Sequence, residues 1–257
     1  MRNITSKFTS IVALIVVFFG ATTIITSAET LPDFMIMTEP WTPWQFEENG
    51  NVKGIAVDLL VLMLERVGSG QNHDDIKMYP WARGYMTVQR KENTILFSTT
   101  RTKKREKMFK WVGPIFQNSS YLIAKKDKHI KIKSLKELKN YNIGTVIDDV
   151  GEEYMNKLGI GIDQLDRTTS NFRNIEKLNF NRIDMIVQSW EGFCYDAKEL
   201  NINPNLFETV YLADVKDISY AFYKGTPDWI IKKFQKTLDE LKEEGKLDEL
   251  IKRYKKI

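Results

Sequence analysis

The sequence predicts an α/β protein of two lobes, and three observations carry that expectation. Short apolar runs alternate with stretches of helical periodicity along most of the chain, the pattern of strands and covering helices. The alternation comes as two successive series with no flexible linker between them, so two lobes are expected to pack directly around a cleft. Subtracting a 28-residue leader from 257 leaves 229 residues, enough for one large domain or two small ones.

The leader is read at residues 1–28. Arg2 and Lys7 precede the apolar run Ile11 to Phe19, which continues to Ile25 and closes on Thr26-Ser27-Ala28, the layout of a cleaved secretory signal peptide. An uncleaved anchor helix is the alternative, but Gly20, Thr22 and Thr23 interrupt the run short of the ~20 apolar residues a span needs. No cysteine lies near the cleavage point, so a lipid anchor is excluded and a periplasmic mature protein is expected.

The first series opens with the apolar run Asp33 to Met37. Pro40 and Pro43 end that strand and stiffen the loop TEPWTPWQF. The loop holds Trp41 and Trp44, which either plug the bottom of a sheet or offer flat rings to a small molecule. Gly54 to Val67 places Ile55, Leu59, Leu62 and Val67 at near-helical spacing and stops at Gly68. Asp75 to Tyr79 alternates as a strand, Trp81 to Arg90 suits a helix, and Thr94 to Phe97 is a short strand. In the second series Tyr121 to Ala124, Asn142 to Ile147 and Ile183 to Val187 read as strands. Ser134 caps a helix to Leu138, and Gly151 to Leu158 and Asn171 to Phe180 read as helices. Ile218 to Tyr223 returns to strand, and Trp229 to Glu244 carries Ile230, Ile231, Phe234, Leu238 and Leu241 on one helical face.

Composition removes several function classes. The leader takes two of the 38 basic residues and none of the 34 acidic ones, so the net charge falls from +4 to +2. Clusters such as Lys125-Lys126-Asp127-Lys128 are solvated faces, and no nucleic-acid partner is expected. Cys194 is the only cysteine, which excludes an internal disulfide, and it reads as a small buried hydrophobe. His73 and His129 stand far apart in polar surroundings, so neither a metal site nor a cofactor is expected.

Five stretches in order carry a resemblance: TEPWTPWQFEENGNVKGIAVDLL, YPWARGYMTVQ, FSTTRTKKREKMFKWVGPI, NIGTVIDDVGEEYM and LNFNRIDMIV. Together they resemble the family-3 extracellular solute-binding proteins, the polar amino-acid receptors of ABC importers. The resemblance spans nearly the whole mature chain. It implies a type 2 periplasmic-binding-protein clamshell, each lobe a mixed sheet flanked by helices, with two hinge crossovers. Residues 29–119 plus 217–257 would form lobe one and residues 120–216 lobe two. The hinges would lie near Gln117 to Ser120 and Val215 to Ile218.

Site residues follow from the same resemblance. Trp41 falls where the family stacks an aromatic on its ligand, Trp81 would face it, and Trp44 falls where a phenylalanine packs inward. Arg105, ahead of Lys110-Trp111-Val112-Gly113-Pro114, matches the arginine that holds the ligand carboxylate through a planar two-bond fork. Arg101 is the rival. Ser98 and Thr100 would supply a backbone carbonyl and a hydroxyl. Arg83 either faces the cleft or lies on a helix surface. The second lobe departs from the family pattern: Ile147-Asp148-Asp149-Val150-Gly151 replaces a Gly-Thr-Thr-like turn, and Ser189 stands where an aspartate pairs with the ligand ammonium. Either Asp148 or Asp149 supplies that anion from another wall, or the ligand lacks an α-ammonium group. Asp149 reads equally as a helix N-cap.

The expected function is a monomeric receptor that closes on a small carboxylate-bearing solute, such as an amino acid, and is recognised by an ABC permease of the inner membrane. A sensor protein is the alternative destination. An enzyme resembling the periplasmic dehydratases of cyclic carboxylic acids is the alternative of another class, with Asp148, Asp149, Glu191 or Glu39 as general acid.

Overall fold

The apolar run at residues 33–37 becomes the first interior strand of a mixed eight-stranded sheet. The computed structural model describes residues 30–254; the expected signal peptide lies outside the described residues. Strand β1 (Met35–Thr38) leads through a small hairpin, β2 (Phe46–Glu48) and β3 (Asn51–Lys53), into helix α1 (Ile55–Val67). Then come β4 (Ile76–Met78), α2 (Trp81–Arg90) and β5 (Thr94–Thr100). The hairpin was not foreseen, although its turn residues Asn49 and Gly50 adopt φ 54° and 78°, as an Asn-Gly hairpin turn requires.

Strand β6 (Phe109–Lys125) follows and is 17 residues long. The second series is β7 (Ile143–Val146), α3 (Val150–Lys157), β8 (Leu165–Thr168), α4 (Asn171–Asn179), β9 (Met185–Ser189) and α5 (Trp190–Glu199). Strand β10 (Phe207–Tyr223), also 17 residues, precedes α6 (Asp228–Glu243) and α7 (Lys246–Tyr254). The strand order is β4-β1-β5-β10-β6-β9-β7-β8. Within each series the strands run parallel, whereas β10 is antiparallel to both β5 and β6, and β6 to β9. The two long central strands thus join one half of the sheet to the other.

Several elements are longer than expected. Tyr121 to Ala124 is only the end of β6, and Ile218 to Tyr223 only the end of β10. Strand β6 contains Pro114, and proline donates no ladder hydrogen bond. The ladder accommodates it by a register shift, from Ile218 opposite Phe116 to Tyr220 opposite Val112. The segment after Ser134 is a 3-10 turn, Leu135–Asn140, with the Ser134 hydroxyl accepting from the Lys136 amide.

Packing follows the two-residue period of a strand. In the first half Ile36, Ile95, Phe97 and Phe222 face α1, α6 and α7, and the alternate residues Met37, Leu96 and Ala221 face Trp81, Tyr85 and Val88 of α2. In the second half Leu122, Ala124, Met185 and Val187 pack with Met155, while Ile123 and Ile186 pack on the other side with Ile175 and Phe193. Cys194 lies half-buried against this last group. Trp44 stacks almost parallel on Phe116 and is buried in the first core, while Trp41 meets the same ring at a tilt. Asn181 adopts φ 56°, a region asparagine tolerates.

Gly54 sets the exit of the tryptophan-bearing loop. Its φ is +132°, and a Cβ there would stand 2.5 Å from the Trp44 carbonyl oxygen. Gly54→Ala is therefore expected to cost about 2–3 kcal/mol, a fall of roughly 5–10 °C in Tm for a domain of this size. A thermal melt checks it, and an unchanged Tm contradicts it.

Candidate functional site

A cavity opens where the carboxyl ends of β1, β4, β5, β7 and β9 converge, the usual place for a ligand in an open α/β sheet. Its free volume is about 50 Å³, well below the several hundred of an open small-molecule site, so its walls stand close together. Most of its walls are strand ends, and the middle of β6 supplies Asn118 and Ser120. Glu39 and Trp41 come from the loop after β1, Trp81 begins α2, and Ser98 and Thr100 end β5. Asp149 precedes α3, and Ser189 ends β9.

The rings are fixed before any solute arrives. The Trp81 indole N–H donates to the Asp148 carbonyl at 2.9 Å, and its ring stacks on Tyr85. Ser98 adopts φ 57°, a strained value for a residue with a Cβ. Its hydroxyl donates to Gln45 Oε1 at 2.7 Å.

The second half contributes two side chains that cap helices while facing the cavity. Asp149 is the N-cap of α3, its carboxylate accepting from the Val150 amide at 2.6 Å. Ser189 is the N-cap of α5, its hydroxyl accepting from Gly192 at 3.3 Å. Asp148 acts through its backbone: at φ 60° its carbonyl receives both Trp81 and Arg105.

Both candidate arginines have partners within the chain. Arg105 is 1% exposed and lies outside the cavity lining. Its Nε donates to Glu153 at 3.1 Å, Nη2 to the Asp148 carbonyl at 3.0 Å, and Nη1 to the Thr100 carbonyl at 3.5 Å. Its guanidinium carbon lies 5.2 Å from the Trp81 ring centre and 4.9 Å from that of Tyr85. Arg101 is outside the cavity as well, paired at the surface with Glu106 through bonds of 2.8 and 2.6 Å. Arg83 is exposed over the Tyr79 ring.

The charged side chains of the lining are the two acids Glu39 and Asp149. Burial holds the Glu39 carboxyl well above the usual carboxylate range, reinforced by the charges of Asp149 and Asp196 and opposed by Arg105. Burial likewise raises Asp149, against Arg105 and the Val150 amide. Asp196, on α5 and absent from the sequence reading, is pushed up to about 7 by burial, although Gln188 Nε2 donates to it at 2.7 Å. Neither lysine, arginine nor histidine lines the cavity. Among the described residues no group of three or more His, Cys, Asp or Glu is arranged to hold a metal, and no helix is long and apolar enough to cross a membrane.

Sequence reasoning missed the neutral polar wall of Asn118, Ser120, Asn171 and Gln188. The first two were hidden because β6 was not read through to its full length.

The model of the bacterial extracellular solute-binding proteins, family 3, matches residues 34–257. This chain belongs to that family. The arginine-binding extracellular protein ArtP of Bacillus subtilis is 22% identical over 222 residues, covering 83% of this chain and 82% of that protein. The arginine-, lysine-, histidine-binding protein ArtJ of Geobacillus stearothermophilus has the same fold, with a TM-score of 0.74 at 20% identity over 87% of this chain and 95% of that one. So does a histidine kinase sensor domain with similarity to periplasmic binding proteins, at 0.76 and 17% over 86% and 95%. The architecture is thus the two-lobed α/β fold of this family, and a solute-binding role comes with it.

The elevated Asp196 gives a test on stability. Between its ordinary value of 3.8 and about 7 the folded chain keeps a proton that the unfolded chain releases. Stability from this group is therefore lost as pH rises through that window. Asp196→Asn keeps an oxygen for Gln188 and removes the titration. The Tm of the variant relative to wild type should rise between pH 5 and pH 8; a constant difference contradicts the assignment.

Proposed function

We propose that this chain is the solute receptor of an ABC importer, exported through a signal peptide cleaved after Ala28, and that it closes on a small solute bearing a positive charge. The observation that carries the reading is the pair of carboxyl groups, Glu39 and Asp149, on a cavity lined by no basic side chain. Two buried acids that repel each other are stabilised by a cation placed between them. The indole faces of Trp41 and Trp81 add cation–π attraction, about 1–2 kcal/mol when desolvated. The names of the relatives agree with such a solute: ArtP is arginine-binding, and an ancestral arginine-binding protein of the same fold is bound to arginine.

Motion completes the reading. With residues 29–119 plus 217–257 as one lobe and 120–216 as the other, the lobes turn about the crossings of β6 and β10, where Gln117 pairs with Asp217. Trp81 and Arg105 both bond Asp148 across the cleft. A solute that touches both walls favours that closed state, which a permease of the inner membrane then recognises. Binding is the whole task, with no catalytic step, and the receptor works as a monomer.

Calorimetric titration with basic, neutral and acidic amino acids and with simple amines tests the charge preference. Cationic solutes should bind, and Glu39→Gln or Asp149→Asn, the latter still a good N-cap, should each weaken them about 10- to 100-fold. Because both carboxyls titrate above their ordinary range, affinity should fall as the medium is acidified through that raised range. Preference for neutral or acidic solutes contradicts the proposal.

A further inference from the structure

The proposed cationic solute leaves open whether it also carries a carboxylate. A ligand carboxylate would need a receptor of opposite charge, and Arg105 is the basic group nearest in the fold. Its hydrogen-bonding edges are already divided: Nε serves Glu153, Nη2 serves the Asp148 carbonyl, and Nη1 faces the Thr100 carbonyl. Both aromatic neighbours are stacked on one another beside it. A carboxylate binds arginine best through two parallel N–H groups of one edge, and the chain itself already draws on three of the guanidinium's N–H groups, the contact with Thr100 at 3.5 Å being the longest.

Two of the helix starts around the cavity are partly filled by the chain itself, whereas α4, whose first residue Asn171 also lines it, has no side-chain cap. Helix N-termini attract anions through free amides. Here the Asp149 carboxylate takes the Val150 amide at the start of α3, and the Ser189 hydroxyl takes Gly192 at the start of α5. What remains for a carboxylate is neutral, such as Asn118 and Ser120, beside two acids. A desolvated anion in that setting is unpaired and costly. In contrast, Gln188 Oε1, a buried acceptor on the cavity wall, has no partner and calls for a donor.

We infer that the preferred ligand is an organic cation without an α-carboxylate, an alkylamine, polyamine or alkylguanidine, because Glu153 supplies from within the chain the anion that Arg105 would otherwise take from an amino acid. This rests on the cationic reading above and narrows it. Glu153 reaches Arg105 from α3, on the opposite wall. The same pair therefore satisfies the arginine and bridges the cleft.

Matched titrations decide it: arginine against agmatine, lysine against cadaverine, ornithine against putrescine, each on the refolded, ligand-free chain. At least one amine should bind 10-fold or more tighter than its parent amino acid. In Glu153→Gln, where Arg105 loses its charged partner, the amino acid should gain about 10-fold on the amine. Tighter binding of the parent amino acids by wild type overturns the inference and leaves the cationic receptor standing. Binding of none of the six overturns both. An unchanged preference in Glu153→Gln overturns the role given to Glu153, and if that variant does not fold, the wild-type pairs alone decide.

Discussion

A buried guanidinium organises this molecule. Arg105 is 1% exposed, and a charge so placed is tolerable only when partners surround it, since removing one from a buried pair typically costs about 3–5 kcal/mol. The chain gathers those partners from widely separated elements. Thr100 ends β5, Asp148 turns out of β7 at φ 60°, Glu153 lies on α3, and Trp81 and Tyr85 come from α2. The strained turn at Asp148 has a use in this light. It aims one carbonyl at both Arg105 and the Trp81 indole, so the position of an aromatic wall and the solvation of the charge depend on the same backbone group.

What is left over then defines the cavity. With Arg105 held by Glu153 and Glu152 paired to Arg167 at 2.7 Å, the cavity acids Glu39 and Asp149 are only partly offset by Arg105, and burial raises both. A cation placed between two such acids would stabilise their charged forms. Perturbed acids in a cleft are also found in enzymes. Membership of a solute-binding family and walls built from helix caps and stacked rings favour capture over chemistry.

The α/β pattern was legible because buried parallel strands are nearly continuous apolar runs and α1 and α6 carry clear helical stripes. Long antiparallel β6 and β10 were not, because they alternate buried and exposed residues and β6 contains Pro114. Helix α5 begins on Ser189-Trp190-Glu191-Gly192, whose glycine reads as a turn although it lets the helix approach Trp41. Helix α7 and strand β8 are short and polar. At the site, the loop of Glu39 and Trp41 and the strand end at Ser98 and Thr100 were legible as motifs. The partner of Arg105 was not, since Glu153 is 48 residues away and reads as an ordinary helix-surface charge. Local sequence shows which residues sit at a strand end; it does not show which buried charges meet across a cleft.

A double-mutant cycle on the ligand-free protein tests that meeting directly, with Arg105→Met, Glu153→Met and the double variant unfolded in denaturant. If the two groups neutralise one another as the structure has them, each single change leaves a buried charge alone and costs about 3–5 kcal/mol. The double variant should then lose much less than the sum, with a coupling of about 2 kcal/mol or more. Additive losses within about 0.5 kcal/mol would show that Arg105 and Glu153 do not hold each other in solution, and the account of a sealed arginine beneath an acidic cleft would fall.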